Sequence, residues 1–436
     1  MATAIGTAVE WYDYFLYASA AGLVFGQVFF SGMGRWSVLL AFATVGVSFL
    51  FRPLGAFLAG HFGDRYGRKV VLMVTLVMMG GATAAIGLLP TTGQIGILAP
   101  ILLILLRILQ GVSAGGEWGG AALMAVEHAP LRKRGLFGSA PQVGVPLGLI
   151  LASAVLALMG LIAPGDAFVE WGWRIPFLLS VVLIFIGYYI RRNLEESPVF
   201  QEIKENQKQD YAKSPITDLF RHHWVLVLLI AVVAAGNSGV GYMMAGGYIQ
   251  SYASNPSGPI GLPASHVFGV VTAAGATWLA FTIVGGWLSD RIGRRTTYLV
   301  GWALQLLGVL TLFPLVNLGT AMSLFAGLGF LTIGLGLTYG PSPSYFAEVF
   351  PASIRFSGLS ISYALGSIIG GAFAPTIAEF MVETTGSTGG VTIYLSVVTL
   401  VACGATLVLR DRSRIPLGPE HEDAQSVSPV RGLRRV

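Results

Sequence analysis

Glu10, Asp13 and Tyr17 are spaced three and four residues apart, so a helix would carry all three on one face. Trp11, Tyr12 and Tyr14 are interleaved with them, either as a substrate wall or as packing and interfacial anchors. A second apolar stretch holds Arg107, Gln110, Ala114 and Glu117, which at 100° per residue fall within an arc of roughly 80°. Arg52 is a further ionisable residue in an apolar run. A carboxyl that takes and releases a proton suits proton coupling, and a guanidinium is a natural partner for a carboxylate. Asp13 is the leading proton-coupling candidate, followed by Glu10 and Glu117. Arg107, with Gln110 and Tyr17, is the leading substrate-binding candidate.

The elements that must hold these residues are membrane spans. The chain has 436 residues, 54% of them hydrophobic and only 11% charged. A soluble domain carries about a quarter charged residues, so a soluble enzyme fits poorly. An ionisable side chain in hydrocarbon costs at least about 2.5–3.5 kcal/mol on insertion scales, so each one asks for a function or a partner. The 58 glycines suit close helix packing in lipid, and Gly111, Gly115, Gly116, Gly119 and Gly120 surround the polar stripe of Arg107. The single cysteine, Cys403, excludes an intrachain disulfide and reads as packing.

Spans of roughly 20 apolar residues can be laid out twelve times. Residues 1–190 hold six of them and 224–410 the other six. A charged linker occupies 191–223, and the mixed Pro, Gly, Ser and Arg tail at 411–436 is expected to be disordered. The first span, 4–29, follows no basic n-region and reads as a retained helix, not a signal peptide. The chain starts almost directly at it, which leaves room for a short cytoplasmic leader ahead. Arg65, Arg68 and Lys69, then Arg132, Lys133 and Arg134, then the linker, Arg291, Arg294, Arg295, Arg355 and the tail all fall on one side. Loops such as 90–93 and 254–265 on the other side carry almost no Lys or Arg. The positive-inside bias places both termini and the linker in the cytoplasm of a multi-pass cell-membrane protein. It also accounts for the net charge of +5 without nucleic acid.

The two halves repeat each other. GHFGDRYGRK at Gly60–Lys69 returns as GGWLSDRIGRR at Gly285–Arg295, matching Asp64-Arg65 with Asp290-Arg291 and Arg68 with Arg294. Glu127, Pro130 and Arg134 likewise match Glu348, Pro351 and Arg355. A duplicated loop in a hydrophobic chain points to two like-oriented halves, the plan of many secondary transporters.

These loops resemble the one between helices two and three of the major facilitator superfamily. GTAVEWYDYFLY (Gly6–Tyr17), FRPLGAFLAGHFGDRYGRK (Phe51–Lys69) and RILQGVSAGGEWGG (Arg107–Gly120) narrow the resemblance to its metabolite:proton symporter family. GWRIPF (Gly172–Phe177), EESPVF (Glu195–Phe200) and EVFPASIRFSG (Glu348–Gly358) extend it over nearly the whole chain. The resemblance implies an all-α twelve-helix membrane fold of two six-helix halves, importing small carboxylates or zwitterions such as shikimate, 2-oxoglutarate, citrate, proline or betaine. The first helix and its AAGLVF run look closest to shikimate-type members. Osmosensing members carry a long C-terminal coiled coil, whereas the tail here has no sustained heptads, which puts osmosensing in doubt.

In that fold, spans one, four, seven and ten line the central cavity. Helical rise puts Asp13 and Arg107 each roughly 15 Å into their spans, near the midplane. An Asp13–Arg107 pair is expected whose opening and closing tracks protonation of Asp13; a fixed pair clamping two helices is the alternative. Glu117 reads as a second proton site, or as a gate residue or static pair with Arg52. Asp64, Arg65 and Arg68 with Asp290, Arg291 and Arg294 read as locks of the inner gate, with topology anchoring as the alternative. In the second half Asn237, Ser238, Tyr242 and Gln250 on span seven are substrate candidates. So are Tyr339, Ser342, Ser344 and Tyr345 on a proline-interrupted span ten, and Tyr363 on span eleven. Hydrogen bonding between helices is the alternative for each.

No Cys/His grouping suggests a metal, no GxxxxGK[ST] loop suggests ATP, and no nucleophile–base constellation suggests hydrolysis. No cofactor is expected. The reading is a proton-coupled organic-acid importer, not an enzyme, working in the bilayer by alternating access and as a monomer. An osmolyte or amino-acid symporter is the runner-up, ahead of a non-transporting membrane sensor.

Overall fold

Long apolar runs in lipid leave the backbone one local way to satisfy its polar groups, the helix. The computed structural model describes residues 2–66, 68–115, 117–192, 215–245, 247–256, 258–418, 421–425, 427, 429 and 430. Within these, the side chains at 2, 3, 5, 59–66, 68–72, 117, 190–192, 215–218, 244, 245, 353, 422 and 423 lie outside the description. Twelve long helical stretches are present among the described residues.

In the first half these are α1 (Ala2–Ala20, running through a π-helical turn at Ala21–Phe25), α2 (Ser37–Tyr66) and α3 (Arg68–Leu88). They continue with α4 (Leu98–Ala114, resumed as Glu117–Glu127), α5 (Arg134–Ile162) and α6 (Arg174–Arg192). The second half comprises α7 (Trp224–Ala245, resumed as Tyr248–Ser254), α8 (Ala264–Ile292) and α9 (Arg294–Val316). It closes with α10 (Ala321–Tyr339, resumed as Ser342–Val349), α11 (Arg355–Gly366, a π-helical turn at Ser367–Ala372, then Ala374–Thr385) and α12 (Gly389–Val408). Ten stretches, from Ser31–Leu58 to Gly389–Val408, are long and apolar enough to cross a membrane, and Met73–Leu88 is a shorter apolar one. Of the linker, the described part is a short helix at Pro215–His222.

Burial separates the central helices from the peripheral ones. In the most apolar window of each, 72% of α7 and 61% of α10 is enclosed, against 28% for α6 and 33% for α12. From Thr7 to Ala21, α1 is buried at every position. Small residues allow the tight crossings: a Cβ on Gly111 or Gly115 of α4 would collide with the backbone carbonyl of Ser48 or Arg52 on α2. The halves meet mainly where α5 runs along α8, where α1 meets α7, and where α2 lies against α11.

Both ends of the central passage are closed. At the end bearing Asp290 and Arg294, here the basic end, the first turn of α5 abuts α8 and the resumed part of α10. At the opposite end Ser251 Oγ donates to Gly22 O at 2.8 Å, and Trp36 stacks on Phe380 with centroids 6.4 Å apart. The α7 break at Gly247, φ 86°, brings this backbone against Ala18 and leaves no room for a Cβ. The described part of the tail, expected to be disordered, is seated across the basic end. Arg412 donates to Val349 O, Gln425 O and Val427 O, and Leu409 bridges Val430.

Candidate functional site

Asp13 and Arg107 are both buried in the first half, at 2% and 1% exposure, yet the expected ion pair between them is absent. Instead Arg107 is satisfied by α2 and by its own helix. Its Nε donates to Thr44 O at 3.3 Å, Nη2 to Val45 O at 3.1 Å and Ser48 Oγ at 2.8 Å, and Nη1 to Gln110 Oε1 at 2.7 Å. Its guanidinium lies 3.8 Å from the Tyr17 ring centroid, and the Tyr17 hydroxyl is 2.6 Å from Thr44 Oγ1. A guanidinium seated on an aromatic face with four of its five N–H donors bonded is a rigid arrangement. Asp13 turns away toward α6, where Ser180 Oγ donates to it at 2.7 Å, while the Thr83 hydroxyl of α3 donates to Met79 O at 3.0 Å. From the Arg107 side, Gln110 Nε2 donates to Thr83 Oγ1 at 2.7 Å and ties α4 to α3.

Two small cavities flank this bridge. One is lined by Glu10, Asp13, Thr75, Ser113 and Ser180, the other by Tyr14, Ser48, Arg52, Arg107 and Gln110. Glu10 is buried at 8% and lies within electrostatic reach of Tyr339 and Tyr363 in the second half.

An aromatic layer joins the halves at mid-depth. Tyr242 of α7 packs against Trp11, Tyr14 and Phe49, with ring centroids 5.8, 5.4 and 5.3 Å away. Arg52 sits on it, 4.2 Å from the Phe49 centroid and 5.6 Å from that of Trp11. Among the described residues Arg52 forms no ion pair, and its buried Nε has no hydrogen-bond partner. Below this layer Trp118 of α4 stacks on Tyr363 of α11 at 3.5 Å and 9°, and Tyr339 leans on Trp278 at 5.5 Å.

At the basic end the halves are locked by charge. Asp290 on α8 accepts from Gly135 N at 2.8 Å and Leu136 N at 2.9 Å, placing a carboxylate on the amino terminus of α5. Arg294 donates to Asp290 at 2.7 Å and grips Glu348 with Nε at 3.1 Å and Nη2 at 3.0 Å. Arg134 approaches Glu348 at 4.0 Å, and Arg355 approaches Glu127 at 3.7 Å.

The sequence model of the Major Facilitator Superfamily matches residues 3–375 and 260–436. The chain belongs to the major facilitator superfamily. It is 40% identical to an inner membrane metabolite transport protein of Escherichia coli K12, over 95% of this chain and 94% of the relative. The shikimate transporter of the same organism is 38% identical over 94% and 93% of the two chains. Its proline/betaine transporter is 35% identical over 98% and 87%. Among solved structures, the crystal structure of a D-xylose-proton symporter superposes with a TM-score of 0.72 at 17% identity, covering 93% of this chain and 95% of that one. The superfamily's fold is the one described above, and the chain is a multi-pass membrane transporter of metabolites, not an enzyme.

Within this superfamily frame the sequence candidates separate into three groups. Asp13, Glu10, Arg107, Gln110 and Tyr17 converge in the first half, and Tyr242, Tyr339 and Tyr363 face them from the second. Asn237 does not join them: it accepts from Thr338 Oγ1 at 2.6 Å and ties α7 to α10. Arg52 lies on the aromatic layer, while the Glu117 side chain, and with it the expected pairing to Arg52, lies outside the described residues. Of the lock candidates, Asp290 and Arg294 are in place, whereas Arg291 is turned outward over the Trp287 ring at 4.0 Å. The side chains of Asp64, Arg65 and Arg68 lie outside the described residues.

Several contributors escape a reading of the sequence. Thr83, Ser180, Thr44 and Ser48 are single hydroxyls in apolar helices, where Ser and Thr commonly bond their own backbone. Gln425 gave no signal either, although it accepts from Ala352 N and Arg355 Nη2 at 2.9 Å each. Arg134, Glu348 and Arg355 were visible as the second echo of the internal repeat.

Proposed function

We propose that this transporter imports a small organic acid, shikimate-like or a dicarboxylate, in symport with protons. The two six-helix halves rock about a central site, and the basic end faces the cytoplasm with both termini. The observation that carries the reading is the pair of buried ionisable groups, Asp13 and Arg107, in one membrane-embedded half without direct contact. An anion at Arg107 and a proton on Asp13 together add no net charge to this interior, which favours their moving as a pair. The lock of Asp290, Arg294, Glu348 and Arg134 gives the basic end a closed state that inward opening would break. The names of two relatives, a shikimate transporter and a proline/betaine transporter, stand at similar identity and leave both substrate classes in play.

The test is uptake into proteoliposomes of labelled shikimate, 2-oxoglutarate, citrate, proline and glycine betaine, with and without an inward proton gradient. Gradient-stimulated uptake of one acid by wild type, lost in Asp13→Asn, is the expected outcome. Gradient-driven accumulation surviving in the variant would remove Asp13 from coupling and turn attention to Glu10.

A second reading, an osmolyte symporter, is favoured by one feature. Trp11, Tyr14, Phe49 and Tyr242 crowd around a site occupied by the Arg52 guanidinium, and aromatic faces also hold quaternary ammonium groups. Uptake of glycine betaine without any acid would decide for it.

A further inference from the structure

Pro343 sets the chemistry of the break in α10. It has no N–H, so Tyr339 O, one helical turn back, lacks its helical donor. Ser342 Oγ supplies a proton locally at 2.7 Å, which leaves that hydroxyl only lone pairs to offer. The donor that meets them comes from the other half. Gln142 Nε2 on α5 donates to Ser342 Oγ at 2.8 Å and reaches Tyr339 O at 3.4 Å. The amide faces this way because its oxygen accepts from Trp118 Nε1 of α4 at 2.9 Å, and an indole nitrogen only donates. Indole, amide, hydroxyl and carbonyl thus form one directed line from α4 and α5 to α10. Gln142 is fully buried and Ser342 nearly so. Trp118 also lays its ring on Tyr363 of α11, so the first half grips both α10 and α11 here without using a charge.

We infer that Trp118 and Gln142 are gating residues, a neutral clasp that closes the passage between the aromatic layer and the charged lock. This rests on the rocking of the two halves proposed above. By helical rise Gln142 stands roughly 12 Å along α5 from Arg134, and Ser342 roughly 9 Å along α10 from Glu348, so clasp and lock are separate barriers. In the closed state each polar atom of the line has a partner and needs no water. Parting α5 from α10 admits water, which satisfies the same atoms. An apolar side chain in place of Gln142 acts unevenly on the two states. The closed state then buries the Trp118 N–H without an acceptor, whereas the open state hydrates it. The population moves toward the open basic end. Removing the indole N–H as well takes away the orphaned donor, because replacing both partners of a buried bond by apolar groups is nearly neutral.

The experiment follows the reaction of single cysteines with a water-soluble maleimide in the full-length protein carrying Cys403→Ser. Ser344→Cys reports on the basic end, since this buried residue faces Gly138 of α5 across the interface that must part. Ser19→Cys, buried beside the Gly247 break, reports on the opposite end. Each reporter is combined with Gln142→Met, Trp118→Phe and the double variant. Gln142→Met is expected to speed the Ser344→Cys reaction roughly fivefold or more, with the Ser19→Cys rate no higher than in the parent. Trp118→Phe, which keeps an aromatic ring on Tyr363, is expected to speed it less. The double variant is expected to react more slowly than Gln142→Met alone, a reversal that lost packing does not produce. An unchanged Ser344→Cys rate in Gln142→Met, or a double variant faster than both single ones, overturns the clasp. Reporters at both ends speeding up together mark loosened packing and overturn it as well. Uptake of labelled shikimate, 2-oxoglutarate and glycine betaine is measured alongside. A wild type that moves none of them sinks the transport reading above, whereas a transporting wild type with reporter rates unmoved by Gln142→Met sinks the clasp alone.

Discussion

Arg355 of the second half reaches Glu127 of the first at 3.7 Å, and their repeat equivalents, Arg134 and Glu348, face each other in the reciprocal sense at 4.0 Å. The two pairs are one contact written twice by the internal duplication, each half supplying an acid to the other's arginine. They are not equal in strength. Glu127 is largely exposed, at 41% of its side chain, so its pair with Arg355 is screened and weak. Glu348 is 1% exposed and also holds Arg294 through both oxygens. Of the two pairs, that of Glu348 and Arg134 therefore contributes more to closure of the basic end, beside the bonds from Gly135 N and Leu136 N to Asp290.

Glu348→Gln should open this end. It leaves Arg294 and Arg134 buried beside a neutral amide, and breaking a buried pair by removing one partner costs about 3–5 kcal/mol. The measurement is the rate at which a cysteine placed at Ser342, in a protein with Cys403→Ser, reacts with a water-soluble maleimide. A rise of at least tenfold over the Glu348 parent is expected, with Glu127→Gln changing it less than threefold. Equal rates in both variants would show that the lock is held elsewhere.

The architecture was legible because it rests on long-range regularities: apolar run length, basic loops on one side and the duplicated motif. The site was legible only where charge announced it. Asp13 and Arg107 stood out against hydrocarbon, but sequence position gives depth along a helix and not the direction a long side chain takes. Arg107 found carbonyls of α2 exposed where α4 packs against it through Gly111, and those acceptors hold it away from Asp13. Arg291 illustrates the same limit: its motif matches Arg65, yet a turn of helix sends it outward over Trp287. The seated tail was unreadable because composition describes what a segment buries alone, and this one is held by arginines of the helix ends.

Arg107→Lys should cost stability as well as binding. An ammonium keeps the charge but cannot reach Thr44 O, Val45 O, Ser48 and Gln110 together. Loss of two or more hydrogen bonds from a charged group amounts to about 3 kcal/mol or more. The half-life of the detergent-solubilised protein at elevated temperature is expected to fall at least tenfold. An unchanged half-life would mean that these carbonyls are not held by the guanidinium in solution.

Gln425→Ala should release the tail. Its side chain accepts from Ala352 N and Arg355 Nη2 and donates to Pro416 O and Gly418 O at 2.8 and 2.9 Å, so four groups lose a partner at once. Limited trypsin digestion is the readout, since Arg410, Arg412 and Arg414 stand at the start of the seated tail. Cleavage there is expected several-fold faster in the variant, without change at other sites. Equal cleavage rates would show that the remaining contacts, those of Arg412 and the Leu409–Val430 bridge among them, retain the segment without Gln425.

Tyr242 offers the means to tell the two substrate readings apart. Its ring closes the aromatic layer from the second half, and its neighbours Trp11, Tyr14 and Phe49 all come from the first. A quaternary ammonium would draw on the ring's face, worth about 0.5–2 kcal/mol, and would not need the hydroxyl. A hydroxylated acid would draw on the hydroxyl and tolerate a smaller ring surface. Tyr242→Phe should therefore spare glycine betaine uptake and weaken shikimate uptake, if the layer serves each in these ways. Tyr242→Leu should do the reverse to betaine, raising its half-saturating concentration roughly 2–30-fold on that energy scale. Uptake measured for both substrates in both variants separates the readings when the residue contacts the ligand: shikimate uptake falls in both, since leucine also lacks the hydroxyl, and betaine uptake falls only in Tyr242→Leu. A uniform loss in both variants, whatever the substrate, would instead assign Tyr242 to packing between the halves.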